Sequence, residues 1–483
     1  PTTLQQWPQM NAPAYAGVNS FGITGTNAHV VLQEPIVTNI LNGTPTVLTV
    51  NRPALVPLSA HTPEALTALA QTYLDFVKAQ ADDIFSLTDF AYTLARRRTH
   101  HAYRLTLVAN NRADVCDQLQ AFIDGETRPG MASGSYTASG NQTNEPIAFV
   151  CSGMGPQWWA MGRQLLQDEP VFRQAVVACD EHFKLLAGWS LIDELTATEE
   201  QSRIQRVDVS QPTNFALQVG LAALWQSWGI QPDAIVGHST GEVATAYLSG
   251  ILSLADAVKV TYHRSRLQQL AAGDGLMAAV GLPLSDIQEY LFGYEKDVSV
   301  AAINSPDAVT ISGDWDTVTL ITSQLEADGV FVRPLQTDVA YHSPHMDKLR
   351  AELLEVLHGI NIQPSTIKAY STVSGQLAEE NTFDVNYWWA NVREPVFFAQ
   401  AISQMIADGY HTFVELSPHP VLTRNIGESL NGNGQSGVMV YSLRRQEPEQ
   451  RQMLESLGAL HTLGHAINWT ALYPQGQFVP VPT

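Results

Sequence analysis

A serine set between two glycines is the sharpest chemical signal in the chain. In AIVGHSTGEVATAYLSG a short apolar strand runs into Gly237-His238-Ser239-Thr240-Gly241 and then into a helix-forming stretch. This is G-x-S-x-G in the strand–turn–helix setting that gives the motif its mechanics. The glycines permit a tight turn that projects Ser239 beyond the sheet, and the following helix offers N–H groups to a developing oxyanion. A serine hydroxyl is a weak nucleophile without a base. His238 stands beside it but is expected to point to the opposite side of the sheet. His342 and His345, in DVAYHSPHMD, are the two histidines placed to reach it. The same His-x-x-His with Asp347 is also readable as a helix-start cap cluster or as a metal site, although the ligand spacings of known metal motifs are absent.

A second glycine-rich turn, Cys151-Ser152-Gly153-Met154-Gly155-Pro156-Gln157, follows the strand IAFV. It has neither the Lys-Ser/Thr of a P-loop nor the third glycine of a dinucleotide fingerprint, so a backbone oxyanion donor is its better assignment.

The elements that must position these residues form an alternating α/β chain. Residues 276–335 scan as strand, helix, strand, strand, helix, strand, the ferredoxin-like order. They read as an insertion between two halves of one larger α/β layer. Ahead of that layer, residues 55–126 read as a small α/β module. Thr-, Asn- and Pro-rich residues 35–53 read as a linker, and turn-rich residues 127–146 as a surface connection. After Arg424 come a loop, the strand VMVYSL, a helix from Glu447 to Gly464 and a Pro-containing tail without evident structure.

Composition bounds the rest. At 483 residues and 45% hydrophobic content the chain exceeds the size of one compact core. Its 26 Lys+Arg against 47 Asp+Glu give a formal charge of -21, which argues against nucleic-acid binding. The charge-free stretch from Val209 to Pro232 contains Gln211, Pro212, Asn214 and Gln218, so a buried helix is expected there and no membrane span. Three cysteines at unpatterned spacings suit a reducing, cytoplasmic setting. The N-terminus lacks a signal-peptide layout and reads as that of an excised piece.

Taken together, SGMGPQW, GHSTGE, HRSRLQ, AYHSPHMD and ELSPHPVL resemble, in order and spacing, the acyltransferase domains of polyketide synthases and animal-type fatty acid synthases. AGVNSFGITGTNAHVVLQEP is similar to the C-terminal end of a ketosynthase. The resemblance implies an α/β-hydrolase-like large subdomain over 146–275 and 336–430, with the ferredoxin-like small subdomain at 276–335. Flanking these it implies a ketosynthase remnant at 1–35, a ketosynthase-to-acyltransferase linker domain at 36–145 and a post-acyltransferase linker at 431–483.

Carried over by residue, it makes Ser239 the acyl acceptor and His342 its base, with the N–H groups of Met154 and Thr240 as the oxyanion hole. Arg264 grips the acyl group's free carboxylate, where a planar guanidinium forks onto two oxygens as lysine cannot. Gln157, Tyr341 and Val339 line the substrate, and the main-chain carbonyl of Asn391 orients the histidine. Met154 stands where the family commonly has Gln, a change that a backbone role survives.

The implied reaction is ping-pong, from malonyl-CoA to Ser239 and on to the phosphopantetheine thiol of an acyl carrier protein. The coenzyme A thioester is a substrate, and neither a bound cofactor nor a metal is required. Partners would be the carrier protein, the ketosynthase and other domains of a parent synthase. Malonyl is expected over methylmalonyl because Val339-Ala340-Tyr341-His342 carries a bulky ring at its third position, as malonyl-selecting relatives do, and because Thr240 replaces a Gln frequent in methylmalonyl enzymes. His29, in GTNAHV, matches a ketosynthase histidine without its cysteine, so no condensation is expected. Arg96, Arg97, Arg98 and Arg104 read either as a dock for an acidic carrier protein or as a solvated helix end. The rival readings are an α/β-hydrolase-type esterase, which needs a triad acid, and a catalytically idle docking fragment.

Overall fold

The computed structural model describes residues 14–21, 25, 27–33, 52–81, 85–136, 145–273 and 275–482. The chain divides into two compact units, Pro1–Asn51 and Arg52–Thr483. Among the described residues of the first unit, β1 (Tyr15–Phe21) and β2 (Asn27–Gln33) form an antiparallel hairpin. On it the exposed His29 is hydrogen-bonded to the Asn19 side chain. The linker expected over 35–53 lies, except for Arg52 and Pro53, outside the described residues.

The second unit opens with β3 (Ala54–Ala60), α1 (Pro63–Ala79), α2 (Leu87–Arg97), β4 (Tyr103–Ala109), α3 (Arg112–Ile123) and β5 (Met131–Ser135). Thr62, Ser86 and Asn111 each accept a main-chain N–H at the start of the helix they precede, which fixes where α1, α2 and α3 begin. Leu66, Ala70, Tyr73, Leu74 and Val77 recur at helical spacing and give α1 its buried face. The strands pair antiparallel in the order β3-β4-β5. Residues 131–135 therefore correct the expected surface connection. The outer backbone edge of the buried strand β4 needs a partner, and MASGS supplies it with side chains small enough for a helix to lie across.

The larger layer follows with β6 (Ile147–Cys151), α4 (Arg163–Asp168), α5 (Pro170–Ala187), α6 (Leu191–Thr196), α7 (Val207–Ser227), β7 (Ala234–Gly237), α8 (Gly241–Leu248) and α9 (Leu254–Gln269). Helix α7 takes up most of the charge-free stretch, from Val209 to Ser227, and is buried on nearly every side. No helix of the described residues is long and apolar enough to cross a membrane.

The insertion runs β8 (Gly275–Val280), α10 (Leu284–Leu291), β9 (Val298–Ser305), β10 (Ala308–Asp314), α11 (Trp315–Ala327) and β11 (Val332–Pro334). Its antiparallel sheet has the order β11-β8-β10-β9, the ferredoxin-like arrangement.

The chain returns through a 3-10 helix (Pro344–Leu349), α12 (Arg350–Val356), β12 (Lys368–Ser371), β13 (Gln376–Leu377), α13 (Val385–Arg393), α14 (Phe398–Ala407), β14 (Thr412–Leu416) and α15 (Thr423–Gly432). It finishes with β15 (Val438–Tyr441), α16 (Glu449–Thr462) and α17 (Trp469–Leu472). The large sheet has the order β13-β12-β7-β6-β14-β15, parallel except for β13. From β6 the chain builds outward through β7 and β12 and then returns to add β14 on the other side. Such a reversal opens a crevice at the carboxyl ends of the strands, where ligands bind in open α/β sheets. This is the expected α/β architecture of a large subdomain with a ferredoxin-like insertion and an N-terminal α/β module.

Residues 431–483 are more than the linker expected of them. β15 pairs the free edge of β14, α16 packs on β3, β4 and β5, and the Tyr473 hydroxyl bonds both the N–H and the carbonyl of Leu55. The arginines proposed for docking are largely consumed by these contacts. Buried Arg104 donates to the carbonyls of His461 and His101, Arg98 donates to those of Val481 and Pro482, and Arg97 stacks on Phe478. Only Arg96 and Arg97 count as exposed, so the four do not make one cationic face.

Candidate active site

β7 ends at Gly237, and the chain turns through His238, Ser239 and Thr240 into α8. The left-handed conformation falls on Ser239 itself, at φ 53°, while the two glycines answer a different need. A Cβ on Gly241 would stand 2.2 Å from the Cys151 carbonyl oxygen, and one on Gly237 2.4 Å from the Glu242 nitrogen. The turn is thus wedged against the end of β6, and a non-glycine residue is held at positive φ where its side chain leaves the sheet. His342 is likewise left-handed, at φ 56°.

These two strained residues face each other, with Ser239 Oγ 2.8 Å from His342 Nε2. The other ring nitrogen, Nδ1, lies 2.8 Å from the main-chain oxygen of Glu394. A carbonyl only accepts, so Nδ1 carries the proton and Nε2 is left free to accept from Ser239. The orienting carbonyl therefore belongs to Glu394, not to Asn391. Asn391 is still on α13, whereas Glu394 caps its end, where the carbonyl is released from the helical ladder. Burial first, and then the nearby Arg264, push the imidazole down to about 3, with the Glu394 contact opposing.

His345 lies in the first turn of the 3-10 helix, its N–H capped by Ser343, and Asp347 pairs with Arg393, so the His-x-x-His cluster is divided among separate tasks. His238 points its Nε2 at Asn304 of β9, 2.9 Å away.

Arg264, on α9, is 2% exposed. It donates from Nη2 to Ser239 Oγ at 3.1 Å, from Nη1 to Gln211 and Gln268 at 2.8 and 3.0 Å, and from Nε to the Asn391 side chain at 3.0 Å. Burial lowers the guanidinium only to about 10, so it stays charged at neutral pH beside the nucleophile. Behind the turn Glu242 is fully buried, and burial lifts its carboxyl to about 7 against the pull of its hydrogen bonds.

Tyr341 and Val339 are buried in the same cluster next to His342. The Tyr341 hydroxyl lies toward Arg264, Thr337 and Gln211 without a hydrogen-bond partner at contact distance. Thr240 caps α8, and its hydroxyl donates to Gln211 at 3.4 Å. Met154 is half-buried on the turn after β6, against Ser210. Gln157 is turned back on its own loop, accepting from the Gly155 N–H at 2.7 Å, and does not join the group around Arg264.

Sequence reasoning overlooked Glu242, Gln211, Gln268 and Glu394. A signal for Gln211 was present, since a glutamine in an apolar, buried helix must find a polar partner. So was one for Glu242, which follows the nucleophile turn directly.

The assembled arrangement is a serine hydroxyl, a neutral imidazole fixed in one tautomer and hydrogen-bonded to it, and a buried cation donating to the same hydroxyl. Residues 148–467 match the family described as acyl transferase domain, and residues 54–119 match one described as CurL-like, PKS C-terminal. The chain is 35% identical over 501 residues to polyketide synthase GfsB of Streptomyces halstedii, covering 100% of this chain but 9% of that protein. It spans only a small part of the synthases it matches.

Among solved structures it is similar to the acyltransferase domain from module 8 of the salinomycin polyketide synthase. That likeness has a TM-score of 0.82 and 32% identity, over 87% of this chain and 98% of the other. A loading acyltransferase from the avermectin modular polyketide synthase is 37% identical with a TM-score of 0.63, over 65% of this chain and 99% of the other. With the family match running through Ser239, Arg264 and His342, the chain belongs to the acyl transferase domain family, in the form carried by polyketide synthases.

Proposed function

We propose that the chain takes malonyl from malonyl-CoA onto Ser239 and passes it to the phosphopantetheine thiol of an acyl carrier protein. One observation carries this reading: a charged, 2% exposed guanidinium donates to the nucleophile's own oxygen. Burying a cation without a full counter-charge is costly. A site that binds an acyl group bearing a free carboxylate recovers that cost on binding substrate. A simple ester offers Arg264 nothing.

In the first half-reaction Ser239 Oγ attacks the thioester carbon as His342 Nε2 takes its proton. The main-chain N–H groups of Met154 and Thr240 receive the oxyanion, the C–S bond breaks, and the coenzyme A sulfur leaves with the proton from His342. In the second half the carrier's thiol gives its proton to His342, attacks the Ser239 ester, and the serine regains the proton as the C–O bond breaks. Neither half needs a metal or a bound cofactor. The esterase reading is disfavoured because His342 Nδ1 meets a carbonyl where a triad would place a carboxylate. An idle docking fragment would have no use for a charged Arg264 held on Ser239.

The buried ring of Tyr341 beside His342 supports malonyl over methylmalonyl, since a branched α-carbon would press on it. One methyl group in such a pocket is worth about 1–3 kcal/mol, or roughly 10–200-fold. Competition between equimolar malonyl- and methylmalonyl-CoA, read as loaded mass, tests this on the wild type and on Tyr341→Ser. The wild type should load mainly malonyl and the variant should narrow the ratio. Equal or greater methylmalonyl loading by the wild type would overturn the preference, and an unchanged ratio in the variant would acquit the ring.

A further inference from the structure

Arg264 would serve poorly as a carboxylate clamp if its planar fork were free to swing, and the structure shows what stops it. Asn391, 2% exposed, uses both ends of its amide in one place. Its Oδ1 accepts from Arg264 Nε at 3.0 Å, while its Nδ2 donates to the Ser239 carbonyl at 3.0 Å and to Glu242 Oε2 at 2.6 Å. Glu242 is held in turn on its other oxygen by the Thr372 N–H at 2.6 Å and the Tyr387 hydroxyl at 2.7 Å. The Thr372 N–H can only donate, and the Tyr387 hydroxyl and the Asn391 amide donate to Glu242 as well, so the place suits an acceptor.

That requirement propagates along the chain of contacts. A carboxylate at 242 forces the amide nitrogen of Asn391 toward itself, which forces the amide oxygen toward Arg264 Nε. With Nε tied to Asn391, and Nη1 to Gln211 and Gln268, the remaining Nη2 edge points at Ser239 Oγ.

We propose that Glu242 and Asn391 are positioning residues that aim the Arg264 guanidinium, and that this aim sets the preference for acyl groups bearing a free carboxylate. The inference rests on the reading of Arg264 as the carboxylate clamp. It extends the selectivity machinery to a carboxylate that touches neither substrate nor nucleophile side chain. In its carboxylate form Glu242 also supplies a buried negative charge to Arg264, one amide away. A glutamine at 242 cannot reproduce the relay. Its amide nitrogen must face either Asn391 Nδ2, where flipping Asn391 only moves the clash of donors to Arg264 Nε, or the Thr372 N–H, where it pushes away the side chain on which Asn391 is anchored.

The test is single-turnover loading of the intact chain with malonyl-CoA and, separately, acetyl-CoA, which lacks the carboxylate. It compares the wild type, Asn391→Ala, Glu242→Gln and Arg264→Ala, each with a thermal melt. In both relay variants malonyl loading should fall about 10-fold or more beyond any fall in acetyl loading, the scale of one lost charge-assisted hydrogen bond. The fall should appear mainly in the malonyl KM. A general structural role would lower both substrates together, and that result, or an unchanged ratio, overturns the proposal. The isosteric Glu242→Gln keeps the test open if truncating Asn391 costs the fold. Arg264→Ala separates the two levels of the argument. If it leaves the malonyl-to-acetyl ratio unchanged, the clamp reading itself fails. If it collapses the ratio while the relay variants do not, only the relay fails.

Discussion

Ser239 and His342 are both non-glycine residues at positive φ, a conformation that costs on the order of 1–3 kcal/mol each and persists only where the surroundings fix it. Here the surroundings are the β6 end on one side and the Glu394 carbonyl on the other. The base is most useful if it is neutral before the reaction begins. With burial and Arg264 holding His342 near about 3 against an ordinary 6.5, the imidazole is unprotonated throughout the working range. A lowered pKa moves the acid limb of a base-dependent rate downward, so kcat/KM for acetyl loading, which has no carboxylate for the Glu242 relay to serve, should stay flat from about pH 8 to about pH 5. Stopped single-turnover loading in a constant-ionic-strength buffer series measures this. A limb centred near 6.5 would show that the free enzyme's base is not the buried imidazole described here. The grouping of Ser239, His342 and Arg264 was legible because it is made by side chains, which the sequence names. The orienting carbonyl was misplaced by three residues because every residue carries one. Which carbonyl faces His342 depends on where α13 stops.

At the scale of elements, G-x-S-x-G proves to be a contact between two strand ends more than a flexible hinge. Gly241 lies so close to β6 that the atom met by an added Cβ, 2.2 Å away, is a main-chain oxygen of Cys151, which cannot move aside as a side chain would. Gly241→Ala is therefore expected to cost roughly 3 kcal/mol or more. The cost would be seen as a lower midpoint in chemical denaturation, and an unchanged midpoint would contradict the wedge. The βαββαβ order of the insertion was legible because each strand and helix there carries its own period. β15 was legible too, as the apolar run VMVYSL, whereas β5 was not, because MASGS becomes a strand only through the open edge of β4, far away in sequence. Arg98 and Arg104 misled for the same reason. A run of arginines looks solvated until the returning C-terminal segment is placed against it.

At the scale of the whole molecule, the unit Arg52–Thr483 closes on itself, with the Tyr473 hydroxyl on both polar groups of Leu55 and the final residues on Arg98. The acyl-transfer layer and the module on 54–135 therefore belong to one compact body, and an assay should use the chain entire. The central claim is that this body makes one covalent ester, at Ser239, from a carboxylated acyl thioester. Intact mass measured after incubation with malonyl-CoA, for the wild type and for Ser239→Ala with an unchanged melt, tests it most directly. A single malonyl adduct on the wild type, absent from Ser239→Ala and released by an acyl carrier protein's phosphopantetheine thiol, is the predicted result. An adduct that persists in Ser239→Ala, or a wild type that no acyl-CoA loads, would contradict the account.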